Sequence, residues 1–90
     1  MNKELMNKIE SDLNEWAIQN ELLVKEFVFS TFQDAMNFVN AVAKIADEAD
    51  HHPDIFNSYN KVKISLTTHD LGEISEKDYL LAKAIEFLEV

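Results

Sequence analysis

DEADHHPDIFNSYNKVKISLTTHDLGEISEKD, residues 47–78, decides how this chain folds. It opens on the tail of a helical pattern, breaks at Pro53 and ends where a new helix starts. Between them, Lys61 to Thr68 alternates strictly. Val62, Ile64 and Leu66 point one way; Lys61, Lys63, Ser65 and Thr67 point the other. That period of two specifies a strand with one buried and one wetter face. Ile55 to Tyr59 reads as a shorter strand, joined to the first through Asn60. Pro53 disfavours the α conformation at His52, so the preceding helix must end before it. Ser75-Glu-Lys-Asp78 matches a capping box and opens the last helix, expected to reach about Glu89.

Working back from Asp47, apolar residues recur at Phe32, Ala35, Met36, Val39, Val42, Ala43, Ala46 and Ala49. These i, i+3, i+4 steps predict a long amphipathic helix, with Thr31 as N-cap and Asp34 at N3. Its small residues, Ala43, Ala46 and Ala49, are expected to let it approach a sheet closely. Upstream, LLVKEFVFS (residues 22–30) is rich in β-branched and aromatic residues and predicts a strand. A hairpin through Asn20-Glu21 would join it to residues 16–19. Without Gly or Pro, that turn has weak local support. Leu5, Ile9 and Leu13, spaced by four, predict a helix over residues 3–15. The order is α-β-β-α-β-β-α. Short connections favour antiparallel pairing, so the expected class is α+β: a four-stranded antiparallel sheet with helices packed on one face.

Ninety residues form one domain, 1–90, with a single small core. Such a core gives thin stability, and self-association would supplement it. There is no cysteine, which excludes disulfides, thiolate metal sites and a Cys nucleophile. The net charge of −9, with eight scattered Lys and no Arg, opposes nucleic-acid binding by phosphate neutralisation. The N-terminus lacks an apolar signal region, and no apolar run approaches the ~20 residues needed to span a bilayer. The expectation is a soluble cytoplasmic protein, bound to neither membrane nor nucleic acid.

All three histidines fall inside 47–78: His51 and His52 leaving the long helix, His69 where the best strand stops. The packing expected above brings these loops to one sheet edge, within reach of Asp47, Asp50 and Asp78. Imidazoles near carboxylates suit proton transfer at neutral pH. Three histidines could instead hold zinc with an open position, although adjacent His51 and His52 project differently and no H-x-x-x-H spacing is present. Solvated loop histidines are the third reading. The residues alone leave all three open.

The spacing Asp47-x3-His51-His52-Pro53-x5-Tyr59-x9-His69-x8-Asp78 resembles the signature of the pterin-4a-carbinolamine dehydratase family. Phe27-x-Phe29, Phe32-x-x-Ala35-x-x-Phe38 and Tyr59-Asn-Lys-Val62 extend the likeness over residues 16–90. The resemblance implies dehydration of a 4a-hydroxytetrahydropterin to quinonoid dihydropterin and water. That step recycles the pterin cofactor of aromatic amino acid hydroxylases, and it needs no metal and no cofactor. It implies a homodimer or homotetramer. It also implies that His51 and His69 carry the acid–base steps while His52 holds the pterin. Asp50, Pro53, Asp78 and Asp47 would assist binding, and Trp16 would stand at the site's edge. Some proteins of this fold act instead as non-catalytic dimerisation or assembly factors, the alternative function. Two positions depart from the family: Asp47 stands for a usual Glu and Glu73 for a usual Gly. A left-handed backbone at Glu73 would strain it by roughly 1 kcal/mol or more.

Overall fold

The computed structural model describes residues 1–89. Its elements run α1 (Lys3–Asp12), β1 (Ala17–Gln19), β2 (Leu22–Val28), α2 (Phe32–Ala49), β3 (Asp54–Ser58), β4 (Lys61–Leu66) and α3 (Glu76–Glu86). This is the expected order, in an antiparallel sheet of strand order β1-β2-β4-β3. Several ends fall short of expectation. α1 stops at Asp12 rather than residue 15, where the Leu13 N–H closes on the Ile9 carbonyl. β2 stops at Val28 and α3 at Glu86.

The two hairpins turn without glycine. Gln19 pairs with Leu22, leaving Asn20 and Glu21 as a two-residue loop with φ of +49° and +65°. Positive φ at both positions matches the twist of the flanking strands. Asn accepts that region readily; Glu21 enters it because the strand pairing on both sides demands it. The second hairpin turns at Tyr59, with φ +53°.

Register carries the core. Leu23, Lys25 and Phe27 of β2 face Leu66, Ile64 and Val62 of β4, so all six side chains share one face. Leu23, Val62, Ile64 and Leu66 are fully buried there beneath the helices. α2 contributes Ala35, Phe38, Val42 and Ala46 to this core, and Phe38 packs its ring 4.6 Å from Phe27 and 5.0 Å from Phe29. The buried stripe is therefore narrower than the expected one: Phe32, Ala43 and Ala49 are exposed, and Phe38 takes the central place. Lys25 is the one charged side chain on the inner face. Its ammonium lies 4.7 Å from the centroid of the Phe27 ring and 2.8 Å from Glu86, so the charge is paired where the wall is otherwise apolar.

α1 lies against α3 through Leu5, Ile9 and Leu13 and through polar ties at both ends. Lys8 pairs with Glu76 at 2.7 Å, and the Tyr79 hydroxyl donates to Asp12. The latter bond holds the Asp12 carboxyl below the ordinary range, helped by Ser11, and pushes the Tyr79 hydroxyl above its own. A depressed acid contributes stability above its unfolded pKa of ~4 and loses it as pH falls; a raised phenol contributes below ~10 and loses it as pH rises. Tyr79→Phe should therefore lower the thermal midpoint at pH 7. The gap to wild type should narrow as the solution is taken through the acid range, as followed by circular dichroism at a series of pH values.

Candidate active site

The site starts with how α2 ends. Asp50 caps the helix in the left-handed region, φ +51° and ψ +42°, and its N–H bonds back to the Ala46 and Asp47 carbonyls. The His51 N–H also returns to the Ala46 carbonyl, at 3.1 Å. This closure turns the chain sharply before Pro53 forbids further helix. The two histidines then part. His51 turns inward, its Nε2 2.6 Å from Asp78 Oδ1 at the start of α3. His52 stays exposed, its Nε2 2.9 Å from Asp47 Oδ1, one turn back on α2.

Asp78 is completely buried, and both its oxygens are engaged. Oδ1 faces His51; Oδ2 accepts from the Thr68 hydroxyl at 2.8 Å and from the Ser75 N–H at 2.9 Å. The capping box expected from the sequence is thus formed, and the same carboxylate also serves His51. Helix start and histidine anchor are one group.

His69 follows the end of β4 on a short loop. The Thr68 carbonyl accepts the N–H groups of Leu71 and Gly72, and Thr68 pairs across the loop with Glu73. Gly72, at φ +67°, is the residue that makes this turn left-handed. Glu73 does not adopt positive φ, so the condition under which it would be strained does not arise. Its carboxylate points to the Met1 amino group, and Glu73 lines a separate cleft against α1. The Glu73 carboxylate is therefore not among the groups lining the histidine cleft.

His51, His52 and His69 line one cleft of about 220 Å³, with Asp50, Thr68, Asp70 and Lys77 as its other walls. Asp47 and Asp78 act behind the histidines, as their carboxylate partners. Asp47 spans the distance to His52 despite being shorter than the usual Glu. Pro53 is half-buried and shapes the chain without lining the cleft. Trp16 is not brought to this cleft. Its indole N–H donates to Glu86 at 3.0 Å, near the opposite end of α3 from Asp78, about 12 Å along the helix at 1.5 Å per residue. Thr68, Asp70 and Lys77 were not expected as walls. Adjacency to His69 could have flagged the first two; Lys77 lies beside the cleft because it follows the cap by two residues. Among the described residues no group of three or more His, Asp or Glu side chains is arranged to hold a metal ion.

The sequence profile described as pterin 4 alpha carbinolamine dehydratase matches residues 1–88. This chain belongs to that family. It is a family of hydro-lyases, and its relatives of provisional dehydratase name span widely separated organisms. One from Thermomicrobium roseum is 50% identical over 70 residues, covering 78% of this chain and 75% of its own. One from Sulfurisphaera tokodaii is 43% identical over 91 residues, covering 98% of each chain. Among solved structures, a transcriptional coactivator/pterin dehydratase from Brucella melitensis superposes with a TM-score of 0.86 at 31% identity, covering 96% of this chain and 94% of that one. A pterin dehydratase-like protein identified as a RuBisCO assembly factor shares the fold, with a TM-score of 0.65 at 24% identity, over 79% and 82% of the two chains.

The left-handed cap at Asp50 sets the direction of both neighbouring histidines. A side chain in that region costs about 1–2 kcal/mol unless it is Gly, Asn or Asp. Asp50→Ala should accordingly be about 1 kcal/mol less stable than Asp50→Gly in urea unfolding.

Proposed function

We propose that this chain dehydrates a 4a-hydroxytetrahydropterin to the quinonoid dihydropterin, recycling the pterin cofactor of aromatic amino acid hydroxylases. The observation that carries the proposal is the convergence of His51, His52 and His69 on one cleft, with His51 held by a buried carboxylate. Family membership supplies the substrate class.

The reaction removes the hydroxyl from C4a and the proton from N5, and the electron pair of the N–H bond forms the C4a=N5 double bond. Hydroxide leaves poorly, so a general acid must deliver a proton to the oxygen as it departs as water. A general base takes the N5 proton. His51 and His69 are assigned to these two steps. His51 suits a base: the Asp78 carboxylate accepts the hydrogen on Nε2, which leaves the Nδ1 lone pair available. His69, exposed on its loop, can exchange its proton with solvent between turnovers. His52, held by Asp47, is assigned to binding the pterin and its hydroxyl. Asp50 and Lys77, on the cleft wall, offer an acceptor and a donor for the pterin's polar edge. The working form is a homodimer or homotetramer, as the resemblance implies. A non-catalytic assembly module of the same fold would leave the buried His51–Asp78 pair without a chemical task.

Stopped-flow turnover of chemically generated 4a-hydroxytetrahydropterin tests this. His51→Ala and His69→Ala should each lower kcat by about 10²–10⁴-fold, the usual contribution of a positioned acid or base. His52→Ala should act mainly on KM. Wild-type rates in all three variants would sink the proposal.

A further inference from the structure

A carboxylate can only accept, so every hydrogen bond to Asp78 must receive its proton from the partner. Thr68 Oγ1, 2.8 Å from Asp78 Oδ2, therefore directs its single proton there. Ser75 Oγ lies 2.5 Å from the same Thr68 oxygen. With the Thr68 proton already committed, Ser75 must donate to Thr68 and accept from elsewhere. It does so from the Lys77 N–H, at 3.2 Å. The direction of each bond follows: Lys77 N–H to Ser75, Ser75 to Thr68, Thr68 to Asp78. Oδ2 also takes the Ser75 N–H at 2.9 Å, so it is doubly occupied, while Oδ1 faces His51 Nε2 alone at 2.6 Å. Thr68 is buried and lies next to His69, so the chain of bonds ties the two walls of the cleft together.

We infer that Thr68 is a positioning residue whose hydroxyl, oriented by Ser75, pins Asp78 so that His51 carries its hydrogen on Nε2 and keeps Nδ1 bare. Helix capping alone does not require this. The Ser75 side chain and the Asp78 carboxylate would satisfy the first turn of α3 without any third residue. The hydroxyl of Thr68 is the group that fills Oδ2 from the β4 side. Its removal leaves Oδ2 with the Ser75 N–H alone, so the carboxylate can turn about that single bond and the imidazole is held less firmly in one tautomer.

The effect on turnover rests on the dehydratase reading; the tautomer does not. Ring ¹⁵N spectra of His51, recorded at about pH 8.5, well above the ordinary histidine range, report it without substrate. Wild type should show a protonated Nε2 and a bare Nδ1. Thr68→Ser, which keeps the hydroxyl, should retain that pattern and a kcat close to wild type. Thr68→Ala should mix the tautomers and lower kcat by about 10–100-fold with KM little changed, the range seen when a partner that orients an imidazole is lost. Thr68→Val, closer in shape, replaces the alanine should that variant not fold. The inference is overturned by a wild-type His51 protonated on Nδ1, by an unmixed pattern in the hydroxyl-free variant, or by a serine variant as impaired as the alanine. A wild-type spectrum of the expected form with no pterin turnover would instead overturn the dehydratase reading and leave the positioning role standing.

Discussion

A carboxylate without solvent is costly, and the arrangement around Asp78 is the answer to that cost. An uncompensated buried charge destabilises by several kcal/mol, so its donors are obligatory rather than optional. Here they come from three places: His51 after α2, Thr68 at the end of β4 and the Ser75 backbone at the entry to α3. One acceptor thus gathers segments far apart in the chain. The cleft exists because these segments cannot separate without leaving Asp78 unpaired.

The protein contains the same chemical pair twice, in opposite settings. His51 and Asp78 retain 12% and 0% side-chain exposure; His52 and Asp47 retain 60% and 80%. Exposed pairs contribute about 0–1 kcal/mol and break and reform easily. The second pair therefore restrains His52 without immobilising it, which is compatible with the binding role proposed for it. The first pair is rigid. Two adjacent histidines obtain different mechanical properties from one left-handed residue, Asp50, which sends them to different partners.

Much of the fold was legible because it rests on local signals. The alternation in Lys61 to Leu66, the Thr31 and Ser75 caps and the break at Pro53 each specify their element within a few residues. The hairpin at Asn20-Glu21 was weakly marked because its left-handed geometry is imposed by paired strands, with no glycine to announce it. Phe38 and Lys25 could be placed only by the register of β2 on β4, which is a long-range property. The histidine set and its carboxylates were readable from spacing. Adjacency to His69 marks Thr68 as a wall, but its bond to Asp78 was not readable, because a buried threonine beside a strand end looks like any other β-branched residue until its partner's second oxygen is known. Trp16 was assigned to the site by resemblance; in the fold its hydrogen-bond partner is Glu86, at the far end of α3. Glu73 shows the converse. The need for a left-handed residue in that loop was real, and Gly72 meets it one position earlier.

Strand order has a consequence for how the molecule is made. The central pairing joins β2 to β4, with α2 and β3 lying between them in the chain. Such non-local closure slows folding, because the intervening loop loses its freedom before the contacts form. During synthesis, β2 waits with only the three-residue β1 beside it until β4 has left the ribosome. Its inner face, Leu23 and Phe27, lacks the β4 side chains Leu66 and Val62 for that interval, although Phe38 of α2 is already available to Phe27. α3, which brings Asp78, comes later still. A fragment that stops before α3 therefore lacks Lys77 and Asp78 and cannot assemble the cleft. The cleft and α3 arrive together.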